Sequence, residues 1–117
     1  MSDRTDFWAT LDDLFRNHKL VLDRPKGTAH PRYPDFIYPL DYGYLEGTSA
    51  SDGGGIDVFL GSGKGRIITG IAVTLDTAKK DSEIKILVDC AEEDRKIIRE
   101  ALNRKHMRAI VIDRFSI

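Results

Sequence analysis

Cysteine is nearly absent from this sequence of 117 residues, which contains only Cys90. A single cysteine excludes an internal disulfide and a zinc site built from several cysteines. The three histidines, His18, His30 and His106, are too scattered to predict a zinc site, and surface or helix-end positions suit them better. We expect Cys90 to be a small buried hydrophobic residue and not a nucleophile.

An excess of charge is also missing, since the formal net charge is -1. Such a balance gives no reason to expect binding to nucleic acid or to a membrane surface through bulk electrostatics. No apolar run has transmembrane length, and none follows a basic start, so we expect neither a membrane span nor a signal peptide. The expected location is therefore the cytoplasm.

The composition that remains is typical of a globular protein, with 41% hydrophobic and 32% charged residues. The length suffices for one domain, which we assign to residues 1–117. Apolar spacing predicts helices over residues 6–17 and 91–104. Alternation and turn signals predict extended segments over residues 19–23, 38–45, 56–60, 66–75, 83–88 and 108–113. These elements predict an α+β fold: a small, OB-like closed β-barrel of five to six strands with two flanking helices.

A glycine-rich loop carries a carboxylate at each end, Asp52 and Asp57, with glycines at 53–55 between them. Mg²⁺ prefers carboxylate and water oxygens, and a flexible loop lets both acids turn toward one ion. Asp76 and Asp81 form a second pair with the same spacing in a later turn. Alone, that second pair would more often be solvated turn residues; together with the first loop it favours a metal site.

Several motifs around this loop belong to one recognisable pattern. They are Tyr38-Pro39, Tyr42-Gly43-Tyr44, Gly47-Thr48, Asp52-Gly53 and Ile56-Asp57-Val58, preceded by the Arg-Pro-Lys-Gly-Thr run at 24–28. Over residues 21–88 the sequence thereby resembles the family I soluble inorganic pyrophosphatases. The resemblance implies an inorganic diphosphatase that hydrolyses pyrophosphate to two phosphates, uses Mg²⁺ with Mn²⁺ as a substitute, and associates as a homo-oligomer.

The resemblance also implies roles for individual residues. Asp52, Asp57, Asp76 and Asp81 would be metal ligands, Asp57 and Tyr42 catalytic, and Lys26, Arg32, Tyr42 and Lys85 would bind phosphate. Lys85 enters this set because Glu83 stands where the family has a lysine, and residues 83 and 85 share a strand face. Without the resemblance, Lys26 and Arg32 are solvated loop cations and Tyr42 is a core tyrosine.

Two departures from the family pattern leave alternatives open. Gly54 and Gly55 occupy the places of the family's middle acid and its proline, and residues 27–37 lack a family hairpin. The sequence therefore leaves three candidates for the group that activates the attacking water: Asp57, Asp41 and Asp35. One alternative is a non-catalytic relative that binds a phosphate-bearing ligand or a protein; another is a hydrolase of a larger diphosphate, admitted by the missing hairpin.

Overall fold

A computed structural model describes residues 3–115, which form two helices and six strands. Neither of these helices is long and apolar enough to cross a membrane. In chain order the elements are α1 (Asp3–Arg16), β1 (Leu20–Arg24), β2 (Asp41–Leu45), β3 (Ile56–Leu60), β4 (Ile68–Asp76), β5 (Asp81–Val88), α2 (Glu92–Leu102) and β6 (Met107–Asp113). The predicted limits of β3 are confirmed, whereas only the second half of the extended segment at 38–45 is strand.

The six strands form one mixed sheet in the order β1-β2-β3-β5-β4-β6. All neighbouring pairs are antiparallel except β3 and β5, which run parallel. The parallel pair follows from the connection, since the chain leaves β3, forms β4 two places further along the sheet, and returns through a tight turn as β5 between them. The predicted α+β class, with six strands and two helices, is confirmed.

Closure of the sheet into a barrel was predicted and is not found among residues 3–115, where the strand order ends at β1 and β6. One side chain covers part of the outer edge of β6. The amide of Asn103 accepts a hydrogen bond from the Ala109 N–H (3.0 Å) and donates one to the Ala109 carbonyl (3.1 Å). Those backbone groups are thereby satisfied without a further strand, which is one way in which proteins protect sheet edges.

Two apolar cores lie on opposite faces of the sheet. Alternation along each strand separates them, so that Val58 of β3 belongs to one core and Phe59 to the other. The α1 core contains Trp8, Leu11, Leu45, Val58, Ile68, Ile71, Ile86 and Val88. The α2 core contains Leu40, Phe59, Ala72, Leu87, Cys90, Ile98 and Leu102. Cys90 is buried, as predicted.

The beginning of α2 is held by the buried carboxylate of Asp94. Its Oδ2 accepts hydrogen bonds from the Ala91 N–H (2.9 Å), the Ser62 N–H (3.1 Å) and the Ser62 hydroxyl (2.8 Å). Burial alone would raise the pKa of Asp94, but these hydrogen bonds outweigh it and lower the pKa. The contact joins α2 to the loop after β3 and so fixes the helix over one face of the sheet.

Gly43 offers a test of the packing of β1 against β2. A Cβ atom on Gly43 would lie 1.8 Å from the Val21 carbonyl oxygen, which is part of the neighbouring strand. We expect Gly43→Ala to reduce the free energy of unfolding by about 3 kcal/mol, the upper end for overpacking, because backbone must move. Urea denaturation measures the change.

Gly54→Ala is the matched control, since a Cβ there meets only the Asp52 carboxylate at 3.4 Å or more. It should change the free energy of unfolding by less than about 0.5 kcal/mol, as do most surface substitutions. Equal stability of the two variants would contradict the close approach of β1 and β2.

Candidate functional site

A cavity of about 290 Å³ opens on the α2 face of the sheet. Strands β2, β3 and β5 form its floor, and the segment at 30–38, the β4–β5 turn and the α2–β6 turn surround it. Its lining contains acidic, basic and aromatic side chains together. The lining includes His30, Tyr33, Asp35, Phe36, Tyr38, Tyr42, Asp52, Asp57, Phe59, Asp76, Lys79, Glu83, Lys85, Leu102, Arg104, Lys105 and Met107.

Three carboxylates meet at one end of this cavity. Asp52, Asp57 and Glu83 each place an oxygen within 4.8 Å of the other two. Asp57 comes from β3 and Glu83 from its parallel neighbour β5, while Asp52 lies on the glycine-rich loop. The Ser51 hydroxyl fastens that loop to β5 by donating to the Ser82 carbonyl (2.9 Å). An all-oxygen set of this size fits a hard divalent cation such as Mg²⁺.

The ammonium group of Lys85 lies among these acids and is almost fully buried. Its Nζ donates to the Tyr42 hydroxyl (2.8 Å), to Asp57 Oδ2 (3.1 Å) and to Glu83 Oε2 (3.2 Å). These contacts use all three donors of an ammonium group. Lys85 therefore neutralises part of the negative charge that would attract a metal ion, and an ion at this cluster would compete with it for the Asp57 and Glu83 carboxylates.

The proton equilibria of Lys85 and Tyr42 follow from this burial. Desolvation works to lower the pKa of Lys85, but the Tyr42 oxygen and the carboxylates of Asp57 and Glu83 outweigh it and raise the pKa. Burial raises the pKa of Tyr42 as well, against the opposing effect of the lysine. At neutral pH the site therefore holds a protonated lysine and a neutral phenol.

A row of aromatic rings leads away from the acids. Tyr42 packs against Phe59 at 4.7 Å between centroids and against Tyr38 at 4.8 Å. His30 stacks on Tyr38 at 6.1 Å and contacts Tyr33 at 5.0 Å. The row ends at Tyr33, which is 47% exposed.

His30 is held as a neutral ring within this row. Its Nδ1 accepts hydrogen bonds from the backbone N–H groups of Arg32 (3.0 Å) and Tyr33 (3.3 Å). Desolvation lowers the pKa of His30, and the positive charges of Arg24, Lys79 and others lower it further. The ring therefore presents its other nitrogen as a donor at neutral pH.

Basic side chains form the outer rim of the cavity. Lys79 lies over the ring of Tyr33, with its Nζ 5.4 Å from the centroid. Lys105 donates to the Asp35 carboxylate, and Arg104 lies 4.0 Å from the same group. These contacts connect the segment at 30–38 to the α2–β6 turn across the mouth of the cavity.

Five of the residues predicted from the sequence are brought together in this cavity: Tyr42, Asp52, Asp57, Asp76 and Lys85. Asp76 lies apart from the three-acid cluster, and its Oδ1 accepts hydrogen bonds from the Ala78 and Lys79 N–H groups at the β4–β5 turn (2.9 and 3.0 Å).

Three other predicted site residues, Lys26, Arg32 and Asp81, do not line the cavity. Lys26 and Arg32 are exposed, and Asp81 pairs with Asp76 where β4 and β5 meet. Of the three candidate water-activating acids, Asp57 belongs to the acid cluster, whereas Asp41 and Asp35 have partners outside it. Asp41 accepts a hydrogen bond from the Lys26 N–H (2.9 Å), and Asp35 is paired with Lys105.

Sequence reasoning missed Glu83 as a member of the acid cluster. Glu83 stands where the resemblance has a lysine, so the family pattern does not predict a carboxylate ligand there. The available signal was alternation, because Glu83 and Lys85 share the strand face opposite Ile84 and Ile86. No sequence pattern predicts that His30, Tyr33 and Lys79 line the cavity. The segment at 30–38 and the β4–β5 turn reach the site only through the tertiary fold.

No protein-family model and no curated protein sequence matches this chain. Solved structures of similar fold include inorganic pyrophosphatases. The enzyme from Helicobacter pylori aligns with a TM-score of 0.55 and 14% identity, over 80% of this chain and 81% of its own. An inorganic phosphatase from Anaplasma phagocytophilum aligns with a TM-score of 0.54 and 16% identity, over 81% of this chain and 83% of its own. An inorganic pyrophosphatase from Neisseria gonorrhoeae aligns with a TM-score of 0.53 and 18% identity, over 84% of this chain and 76% of its own.

The fold is therefore pyrophosphatase-like, and it carries an acidic cluster suited to a metal ion. At these identities the similarity concerns the fold alone. Activity has to be argued from the residues of the site.

The charge balance around Lys85 can be tested by removing the ammonium group. In Lys85→Met the Asp57 and Glu83 carboxylates lose their buried counter-ion, so we expect a loss of about 3 kcal/mol in the free energy of unfolding. Adding Mg²⁺ should restore more stability to this variant than it adds to the original protein, because the ion no longer competes with the ammonium group. Thermal and urea denaturation with and without Mg²⁺ measure both effects.

The double variant Lys85→Met/Glu83→Gln is the control for the charge balance. It should be more stable than Lys85→Met alone, because one of the two uncompensated charges is gone. If the double variant were the less stable of the two, the carboxylates would not be the partners that keep Lys85 buried.

Proposed function

We propose that this chain is a metal-dependent phosphoanhydride hydrolase that converts pyrophosphate to two phosphates, with Mg²⁺ as its cofactor. The observation that carries the proposal is the acid cluster of Asp52, Asp57 and Glu83 in a cavity whose rim is basic, within a pyrophosphatase-like fold. Hydrolysis of a phosphoanhydride needs positive groups to neutralise its anionic oxygens. It also needs negative groups, because the attacking water must lose a proton.

Asp52, Asp57 and Glu83 are the proposed metal ligands in this scheme, and Asp76 and Asp81 remain predicted ligands from the sequence. A bound Mg²⁺ would supply charge neutralisation on the phosphates and a more acidic water. Lys85 holds the Asp57 and Glu83 carboxylates in place through its hydrogen bonds and adds positive charge beside the substrate. Tyr42 keeps its proton, since burial raises its pKa, and so acts as a hydrogen-bond donor.

The rim cations Lys79, Arg104 and Lys105 are the proposed contacts for phosphate oxygens. Lys105 and Arg104 would exchange Asp35 for the substrate, since that carboxylate is exposed and its pairing is weak in water. Lys26 and Arg32, which are exposed and do not line the cavity, remain predicted phosphate ligands from the sequence.

A second candidate function is binding of a phosphate-bearing ligand without turnover. Two observations favour it: Gly54 carries no carboxylate, and Lys85 already satisfies Asp57 and Glu83. Calorimetry would then detect Mg²⁺-dependent binding of pyrophosphate while phosphate release stays at the level of the buffer.

Asp57→Asn tests the hydrolase proposal, because it removes the central charge of the cluster and keeps the shape. We expect Mg²⁺-dependent release of phosphate from pyrophosphate to fall about a hundredfold or more, as when a preorganised electrostatic group is lost. A colorimetric phosphate assay measures it, and circular dichroism confirms that the variant is folded.

Asp23→Asn is the matched control, since Asp23 is exposed on β1 and lies outside the cavity. It should retain full activity. Hydrolysis that survived Asp57→Asn unchanged would remove Asp57 from the mechanism, and the absence of phosphate release from the unsubstituted protein would select the binding function instead.

Gly54→Asp tests whether the missing acid limits the rate. The position accepts a side chain, since its φ lies outside the left-handed region and a Cβ meets only Asp52. A carboxylate there would add a proton acceptor beside the cluster. We therefore expect the rate of phosphate release to rise at least tenfold, which is less than the rate increase that a well-placed general base usually gives.

Gly54→Asn separates charge from bulk in the same assay. It should leave the rate close to that of the unsubstituted protein, because an amide accepts no proton. If both substitutions changed the rate equally, the effect would come from loop conformation and not from a base.

A further inference from the structure

The cavity contains far more organic surface than an inorganic anion uses. Besides Tyr42, its lining includes Tyr38, Phe36 and Tyr33, together with Leu102 and Met107. Pyrophosphate is charged on every side, and placing charge against apolar carbon is unfavourable. These side chains therefore contribute nothing to binding pyrophosphate alone.

This organic half, which we call the ring subsite, is defined by Tyr33, Phe36, Leu102 and Met107. It is continuous with the charged half of the cavity, since Tyr38 and Tyr42 join the two through ring contacts and Tyr42 touches Lys85. The total volume of about 290 Å³ lies near the lower limit of pockets that hold organic ligands, about 300 Å³. A ligand that fills both halves must carry an organic group attached to its phosphates.

The character of the walls indicates which organic group fits. Phe36 meets Tyr38 edge to face at 5.2 Å, so its ring is held in place. Tyr33 is half exposed and bears the Lys79 ammonium group near one face, which makes its ring a stacking platform with a cation beside it. Met107, which also lines the cavity, is an adaptable contact for planar rings. Aromatic platforms of this kind bind the faces of nucleobases.

We propose that the natural ligand is an organic diphosphate ester with a planar aromatic ring, of the nucleoside diphosphate class, whose ring occupies the ring subsite. This inference rests on the proposed function, because the diphosphate is assigned to the acid cluster and the basic rim. In the corresponding hydrolysis, water attacks the terminal phosphorus and the anhydride P–O bond breaks. The products are the organic monophosphate, which keeps the bridging oxygen, inorganic phosphate and a proton.

The test compares four diphosphate analogues whose bridging oxygen is replaced by a methylene group, so that none is cleaved. They are methylenediphosphonate and its methyl, isopentyl and adenosine esters, each titrated by calorimetry in the presence of Mg²⁺. We expect the adenosine ester to bind roughly tenfold more tightly than the methyl ester, a conservative value for one stacked base.

Tyr33→Ala should abolish this tenfold preference for the adenosine ester over the methyl ester, while Tyr33→Phe should retain the preference because the ring is kept. Ile37→Ala is the matched control, since Ile37 lies in the same segment, is 50% exposed and does not line the cavity. It should behave like the unsubstituted protein.

Three outcomes would overturn the inference. Equal affinity for the methyl and adenosine esters would mean that the ring makes no contact, and tighter binding of the isopentyl ester would assign the subsite to aliphatic groups. Equal weakening of all four ligands by Tyr33→Ala would make Tyr33 a structural residue. Phosphate release from pyrophosphate reports separately on the proposed function, so hydrolysis without ring preference would refute this inference alone.

Discussion

The buried ammonium group of Lys85 is the interaction on which the site depends. Two carboxylates from parallel strands and a phenol converge on one nitrogen, and each of its hydrogens has a partner. Without that charge, Asp57 and Glu83 would be two mostly buried anions on adjacent strands, an arrangement that costs several kcal/mol. The same charge opposes a divalent cation at those oxygens. The Lys85 charge thus stabilises the site without a metal ion, and an ion bound at the same oxygens would compete with the ammonium group for them.

The position of the site follows from where α2 ends. On one face of β3 and β5 the side chains change from apolar to charged: Phe59 and Leu87 lie in the α2 core, whereas Asp57 and Lys85 lie just beyond it. The helix covers the apolar part and leaves the charged part open. The segment at 30–38 then folds over this opening and contributes aromatic rings. The α2 core and the cavity therefore lie next to each other on the same face of β3 and β5.

Connections between distant parts of the chain hold the cavity in shape. Asp94 fixes α2 to the loop after β3, Ser51 fixes the glycine-rich loop to β5, and Lys105 meets Asp35 across the mouth. The first is buried and hydrogen-bonded several times, whereas the last is exposed to solvent. Since exposed ion pairs contribute little in water, the mouth is the part of the cavity that opens most readily for a ligand.

The sequence by itself determined the elements and the loop acids, because their signals are local. Alternation places Asp57 beside Phe59 and Glu83 beside Lys85 on their strand faces, and five-residue spacing marks Asp52 with Asp57 as a pair. The tertiary structure decided which acids share a cluster: parallel pairing of β3 with β5 selected Glu83 and left Asp76 and Asp81 outside it. It also left the sheet open at β6 and brought Tyr33 and Lys79 to the cavity, since such contacts depend on strand order and not on neighbours in the chain.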